Sequence, residues 1–102
     1  MKKIKIIIAD DHLLFINGLQ LLLKEESWIE LTDIANDGKE LLDILHKDQP
    51  DLILLDLNMP RMNGLDASRH IKQDHPAVKL IILSTYNEEH LVEKAKQIGI
   101  NG

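Results

Sequence analysis

The sequence predicts an α/β domain with a doubly wound parallel sheet. Strand-like apolar segments alternate with segments of helical periodicity in the order βαβαβαβα, which is typical of right-handed crossovers between parallel strands. Leu52–Leu55 is apolar on both faces, as expected of a central strand covered by helices on each side. A length of 102 residues corresponds to one domain.

The first half of the chain contains two strands and one helix. Lys3–Ala9 is β-branched and ends in paired acids, so it is predicted to be a buried strand. Ile29–Ala35 alternates more weakly, with a slip of phase, which favours an edge strand. The helix between them, His12–Glu25, is predicted to pack through one apolar face at helical spacing, comprising Leu14, Phe15, Gly18, Leu19 and Leu22.

The next two helices are marked by residues that can cap them. Asp37 and Glu40 have capping-box spacing before GKELLDILHKD, and Asn63 and Asp66 repeat that spacing before a helix ending near His75.

The last quarter of the chain predicts one more strand and one more helix. Val78–Leu83 is a strand that is followed by Ser84 and Thr85. Asn87 is predicted to cap a final helix over Glu88–Ile98.

Composition narrows the classes of function. Hydrophobic residues make up 44% and charged residues 28%, which is typical of a soluble globular domain. A net charge of −5 argues against nucleic-acid binding by this segment, and the absence of cysteine suits the cytoplasm. The apolar run Ile6–Ala9 is too short for a signal peptide, and no segment reaches the length of a membrane span.

Acidic and hydroxyl side chains follow three of the predicted strands. Asp10 and Asp11 follow the first, Asp56 the third and Ser84 the fourth. Ligand sites of open α/β sheets lie at these carboxyl ends, and oxygen ligands without Cys or His favour Mg²⁺. Asp56 could then attack phosphorus as a nucleophile. The residues alone leave a second interpretation open, in which they are helix caps and turn formers.

The five histidines lack the spacing of a histidine metal site. His12, which follows the acid pair, is expected to be a solvated first-turn residue, and contact with the rim of the site is the less favoured alternative.

Four segments together resemble the receiver domain of two-component response regulators. They are IIIADDH, LLDLNMPRMNG, IILST and IGING, and the resemblance runs from Lys3 to Gly102. It implies a flavodoxin-like fold with strand order 2-1-3-4-5. The ADDH start and the LSTYNEEH stretch are most similar to receivers that precede a LuxR/NarL-type helix-turn-helix domain.

The resemblance implies a role for each acid of the site. Asp56 would be the phosphoacceptor. Asp10, Asp11 and Asp56 would hold Mg²⁺ together with the backbone carbonyl of Asn58, and Asp11 would be the more direct ligand of the first two.

The resemblance also assigns roles around the acids. Ser84 would be the switch hydroxyl, and Asn58 and Tyr86 would tune the rate of phosphoryl loss. Pro60 and Gly64 would shape the loop after the third strand, Pro60 by fixing one φ and Gly64 by permitting an unusual one.

The resemblance further implies partners. A sensor histidine kinase would supply the phosphoryl group, and DNA would be bound only through a C-terminal domain outside this sequence, to control transcription. Such a domain catalyses only its own phosphorylation and dephosphorylation, so it is not expected to be an enzyme in the wider sense.

The sequence ends at Gly102, before the lysine, fifth strand and fifth helix of the family. Residues 1–102 are therefore expected to form an incomplete receiver with order 2-1-3-4. Val78–Leu83 would then be an exposed edge that pairs with another chain, so poor solubility or a homodimer is expected.

Two other functions remain as alternatives. The first is a Mg²⁺-dependent phosphatase with an aspartate nucleophile, like the haloacid dehalogenases. Their DxDx[TV] motif is only partly matched by Asp56-Leu57-Asn58-Met59, which lies on the wrong strand. The second is a receiver-like interaction module without phosphorylation.

Overall fold

The computed structural model describes residues 2–83, 93–94 and 96–97. The elements alternate as predicted. Their bounds are β1 Ile4–Ala9, α1 Leu13–Lys24, β2 Ile29–Ala35, α2 Gly38–Lys47, β3 Leu52–Asp56, α3 Gly64–Asp74 and β4 Lys79–Leu83. Of the helix predicted over Glu88–Ile98, residues 93–94 and 96–97 are described and helical, and the predicted cap Asn87 lies outside the described residues.

The four strands form one parallel sheet in the order β2-β1-β3-β4. This confirms the predicted order and the edge position of β2. Ile6 pairs with Leu31 but Ile7 pairs with Asp33, so Thr32 is an extra residue on the β2 side. This bulge is the physical origin of the slip of phase in the sequence, because one extra residue reverses which side chains face the core.

The main core lies between one face of the sheet and helices α2 and α3. Alternate residues of the strands contribute to it, as the two-residue period of a strand requires. The connection from β1 to β2 runs opposite to the two later connections, so right-handed crossovers place α1 on the other face. The cluster comprises Ile7, Ala9, Ala35, Leu41, Leu45, Ile53, Leu55, Met59, Ala67, Ile71, Val78 and Leu80.

The predicted inner face of α1 is wrong except at Leu19. Leu14 is 89% exposed, and Phe15 and Leu22 are also exposed. Ile16 is the buried residue of this helix, with Leu19 and Leu23 half-buried beside it. The helix is apolar nearly all round, so helical spacing fits more than one face and could not identify the one that meets the sheet.

Two of the three predicted helix caps are confirmed, and the third, Asn87, lies outside the described residues. The carboxylate of Asp37 accepts a hydrogen bond from the N–H of Glu40 at 2.8 Å and begins α2. The amide oxygen of Asn63 accepts from the N–H of Asp66 at 2.9 Å and begins α3. Helices α2 and α3 therefore begin at positions that the sequence specifies locally.

No helix in the described part of the chain combines the length and the apolar character that are needed to span a bilayer.

Candidate functional site

The carboxyl ends of β1 and β3 bring two acids side by side. Ala9 pairs with Leu55, so Asp10 directly follows β1 next to Asp56, the last residue of β3. The chain leaves β1 toward β2 and leaves β3 toward β4, so the strand order reverses between them. This switch point is where open α/β sheets form their binding crevice.

The two acids after β1 have different environments. Asp10 is 2% exposed, and its N–H donates to the carbonyl of Ala35 at 3.0 Å. Its Oδ1 accepts from the N–H of His12 at 2.9 Å. Asp11 is exposed, with 37% of its side chain accessible. Asp10 is thus held rigidly by the sheet, whereas Asp11 remains accessible at the mouth of the crevice.

Asp56 is the second buried carboxylate of the site. It is 4% exposed, and its Oδ1 accepts a hydrogen bond from the N–H of Asn58 at 3.1 Å. Its Oδ2 is buried and has no hydrogen-bond partner among the described residues. A buried carboxylate oxygen without a donor is costly, because nothing replaces the water that it loses on folding.

The environment of Asp56 raises its pKa to about 6. Burial is the main cause, and the negative charges of Asp10 and Asp11 act in the same direction. The N–H of Asn58 and the nearby His12 oppose the rise. The buried carboxylate is therefore stabilised by whatever brings positive charge into the crevice.

The sequence interpretation underestimated His12. Its Nδ1 lies 2.7 Å from Oδ1 of Asp10, 3.4 Å from Oδ1 of Asp11 and 3.5 Å from Oδ2 of Asp56. The hydrogen bond with Asp10 raises the pKa of His12, and the charges of the acids add to this. His12 directly follows an acid pair at a strand end, and that adjacency was the available indication of its position.

The loop between β3 and α3 differs from the prediction in which residue has unusual backbone geometry. Gly64 was expected to supply the unusual φ, but the left-handed φ of 63° belongs to Arg61. The N–H of Met62 donates to the carbonyl of Pro60 at 2.7 Å, which closes a tight turn around Arg61. Pro60 is therefore part of the turn, as expected.

Gly64 is required for a different reason, the close approach of two backbones. A Cβ at this position would overlap the carbonyl oxygen of Asp56 and lie 2.8 Å from Cα of Leu57. The N–H of Gly64 donates to the carbonyl of Leu57 at 3.0 Å. The first turn of α3 thus packs directly against the backbone that carries Asp56.

A second contact ties the same loop to α2. The guanidinium of Arg61 donates from Nε to Oδ2 of Asp37 at 2.8 Å and from Nη2 to the same oxygen. The N–H of Gly38 donates to the carbonyl of Met62 at 2.8 Å. The hydrogen bond from the N–H of Glu40 is the main cause of the lowered pKa of Asp37, and Arg61 lowers this pKa further. The loop after Asp56 is therefore anchored at both ends.

A cleft of about 550 Å³ opens above the acids. Asp10, His12 and Asp56 form its polar end, and Leu14, Phe15 and Ile82 contribute to its apolar wall. The cleft gives access to Asp56 from the solvent side.

Two of the predicted site residues cannot be placed. Ser84 and Tyr86 lie outside the described residues, one and three positions after the end of β4. Asn58 lies two residues after Asp56, where its N–H contacts the carboxylate. Asp10, Asp11 and Asp56 are brought together as the sequence predicted, with His12 among them.

Comparison with known proteins assigns the chain to a family. The family profile described as the response regulator receiver domain matches residues 6–102. The chain is a member of the response regulator receiver family. This agrees with the strand order and the acid cluster described above.

The similar curated proteins include several that are named as transcriptional regulatory proteins. The transcriptional regulatory protein DegU of Brevibacillus brevis is 38% identical over 100 residues, covering 98% of this chain and 42% of that protein. The transcriptional regulatory protein YdfI of Bacillus subtilis is 40% identical over 98 residues, covering 96% and 46%. The chain spans less than half the length of these relatives.

Solved receiver structures share the fold. The receiver domain of the response regulator NarL from Mycobacterium tuberculosis has a TM-score of 0.89 at 27% identity, covering 98% of this chain and 81% of that one. The phosphorylated cyanobacterial phytochrome response regulator RcpA has a TM-score of 0.89 at 27% identity, covering 97% and 77%.

Receivers generally bind Mg²⁺ at their acidic residues, and the residues of this chain fit that ion. Three carboxylates meet within reach of one another, and one buried oxygen, Oδ2 of Asp56, has no partner in the described part of the chain. Hard oxygen donors and an accessible cleft suit a cation that retains waters and binds phosphate oxygens.

Proposed function

We propose that this chain is the phosphoacceptor domain of a transcriptional response regulator, with Asp56 as the residue that is phosphorylated. The observation that carries the proposal is the buried, unpartnered Oδ2 of Asp56 beside Asp10 and Asp11. The carboxylate is fixed by β3 at the base of an open cleft, which is the position a nucleophile needs.

The phosphoryl group would come from a phosphohistidine of a sensor kinase. One carboxylate oxygen of Asp56 attacks phosphorus, the new O–P bond forms, and the P–N bond to the donor imidazole breaks. The bonding electrons remain on the imidazole nitrogen, which leaves as the neutral ring after taking up a proton. The product is an acyl phosphate on Asp56.

The surrounding residues prepare this transfer. The carboxylates of Asp10, Asp11 and Asp56 and the carbonyl of Asn58 would hold Mg²⁺, which when bound would offset the charge that the phosphoryl oxygens bring into an acidic crevice. The N–H of Asn58 orients Asp56 through its contact with Oδ1. Ser84 would bind a phosphoryl oxygen, and Tyr86 and Asn58 would control the access of the hydrolytic water.

The output of this domain would be transcriptional. The relatives DegU and YdfI are named as transcriptional regulators, and this chain covers under half of each. We therefore place a DNA-binding domain elsewhere in the full protein, in the cytoplasm, where a kinase and DNA are both accessible. We also propose that the protein forms a homodimer. The domain would catalyse only its own phosphorylation and dephosphorylation.

The test uses Mg²⁺ and a small acyl-phosphate donor, followed by intact mass and released phosphate. We expect wild-type protein to gain one phosphoryl group and to lose it slowly, and Asp56→Asn to gain none. Asp74→Asn, an exposed carboxylate at the end of α3, is the matched control and should behave like wild type.

Two results would contradict the proposal. Release of phosphate over many turnovers would indicate a phosphatase. Absence of both phosphorylation and release, with Mg²⁺ binding intact, would indicate an interaction module.

A further inference from the structure

The cluster at the carboxyl ends of β1 and β3 contains a nitrogen donor as well as oxygen donors. Nδ1 of His12 and one carboxylate oxygen from each of Asp10, Asp11 and Asp56 all lie within 4.8 Å of one another. The Nδ1 atom is 2.7, 3.4 and 3.5 Å from those three oxygens. The imidazole therefore lies among the carboxylates although 61% of its side chain is exposed.

A second, independent observation points to a ligand at this cluster. Oδ2 of Asp56 is buried and has no hydrogen-bond partner in the described part of the chain. Its distance of 3.5 Å from Nδ1 of His12 is too long for a normal hydrogen bond. A buried anionic oxygen of this kind is satisfied by a proton or by a cation.

We propose that His12 is a metal ligand, and that its Nδ1 joins the three carboxylates to form a mixed nitrogen–oxygen site selective for first-row transition cations over Mg²⁺. The inference rests on the proposed function in one respect, namely that the carboxylates bind a divalent cation. It adds that the identity of the cation is set by His12.

The spacing of the donor atoms supports direct ligation. Ligand atoms at about 2.0–2.1 Å from a Zn²⁺ or Mg²⁺ ion lie on the order of 3 Å from one another. The separations between Nδ1 and the carboxylate oxygens, from 2.7 to 3.5 Å, bracket that value. All four donor atoms lie within 4.8 Å of one another, so rotation of the side chains can bring them onto one cation.

The chemistry of the donors gives the selectivity. Carboxylates bind Mg²⁺ and Mn²⁺ well, whereas an imidazole nitrogen suits Co²⁺, Ni²⁺, Cu²⁺ and Zn²⁺. Mg²⁺ prefers oxygen ligands and retains its waters, so it gains little from His12. A borderline ion such as Co²⁺ gains a strong bond from the same ring. The neutral ring binds through one nitrogen and keeps its proton on the other.

The test compares the affinities of Co²⁺ and Mg²⁺ by calorimetric titration in wild-type protein and in His12→Gln. Glutamine retains hydrogen-bonding capacity without a strong nitrogen ligand. We expect His12→Gln to weaken Co²⁺ binding by about tenfold or more, while Mg²⁺ affinity stays unchanged. His46→Gln removes an exposed histidine of α2 and serves as the matched control, with both affinities unchanged.

A spectroscopic readout independent of affinity follows the histidine ring. On addition of Zn²⁺, the ¹⁵N resonance of one ring nitrogen of His12 should shift strongly, and that of His46 should not. Thermal unfolding of His12→Gln without metal confirms that the variant is folded.

The results that overturn the proposal are distinct. If His12→Gln tightens the binding of both ions, the ring obstructs the cation position. If it weakens both equally, His12 only positions the acids. In either case Mg²⁺ still binds wild-type protein, so the proposed function survives. If wild-type protein binds neither ion, both this inference and the proposed Mg²⁺ site are wrong.

Discussion

Replacing Gly64 with alanine should be among the most damaging single-methyl changes in the described chain. The new Cβ would overlap the carbonyl oxygen of Asp56 and lie 2.8 Å from Cα of Leu57 and 2.9 Å from the carbonyl carbon of Asp56. Carbon atoms pack at about 3.5–4.0 Å, and all three neighbours are backbone atoms that cannot rotate away. Either α3 or the end of β3 must move.

The expected cost follows from that geometry. Overpacking of a well-packed region costs about 1–3 kcal/mol, and a clash with backbone belongs in the upper part of that range. We expect Gly64→Ala to lower the free energy of unfolding by about 2–3 kcal/mol. For a domain of this size, such a loss lowers the Tm by about 10–20 °C. Because the displaced backbone carries Asp56, Mg²⁺ affinity should fall as well.

The matched control is the same substitution at Gly18, which lies inside α1. A Cβ there meets no atom within 4 Å, so Gly18→Ala should raise the free energy of unfolding by about 0.5–1 kcal/mol through helix propensity. Urea denaturation followed by circular dichroism measures both variants. A Gly64→Ala variant within about 0.5 kcal/mol of wild type would refute the reasoning, because that is the range of a neutral surface change.

Three further predictions concern charge and capping. With metal ions chelated, the free energy of unfolding of wild-type protein should fall by about 1–2 kcal/mol relative to that of Asp56→Asn as the pH rises from 4 to 7. The pKa of Asp56 rises from 3.8 to about 6 on folding, so its ionisation penalises the folded state over that window, and solvent at the cleft screens part of the penalty. His12 is present in both proteins, so the loss of stability that its raised pKa causes above pH 6.5 is largely common to them. Parallel pH profiles of the two proteins would contradict the assignment of the decline to Asp56. In urea denaturation, Asp37→Ala should lower the free energy of unfolding by about 1–2 kcal/mol and Asn63→Ala by about 0.5–1 kcal/mol. The difference is expected because Asp37 is buried and also binds the guanidinium of Arg61. Equal losses would argue against that contact. Saturating Mg²⁺, at about 100 times its Kd, should stabilise wild-type protein by about 2.7 kcal/mol and should not stabilise Asp10→Asn; equal stabilisation would place the ion elsewhere.

The fold was largely predictable because its determinants are local. Alternation in the strands, helical periodicity in α2 and α3, and the caps Asp37 and Asn63 all follow from short stretches of sequence. The inner face of α1 was not predictable in the same way. Leu14 and Ile16 are both apolar and only two positions apart, and the choice between them depends on how the helix lies on the sheet. That is a tertiary property.

The site was predictable in outline and not in detail. Parallel strands place their carboxyl ends at one edge, so the convergence of Asp10 and Asp56 follows from topology. The orientation of His12 depends on side-chain rotamers, which spacing does not determine. The conformation of the loop depends on Gly64 meeting the backbone of Asp56, a contact between segments that no single-segment pattern encodes.

The buried position of Asp56 links stability to the proposed cation binding and phosphorylation through the same atoms. The apolar strand β3 fixes the carboxylate but removes it from water, which raises its pKa to about 6 and leaves Oδ2 without a partner in the described part of the chain. At neutral pH the folded protein therefore carries an ionised carboxylate whose burial is only partly offset by the N–H of Asn58 and by His12. A cation in the crevice reduces that penalty. The loop after Asp56 is held by the close packing at Gly64 and by the Asp37–Arg61 contact. A change in the charge of the carboxylate therefore acts on a backbone that is already tied to α2 and α3. The proposed reactivity of Asp56 and the local instability of its charge thus have one physical cause.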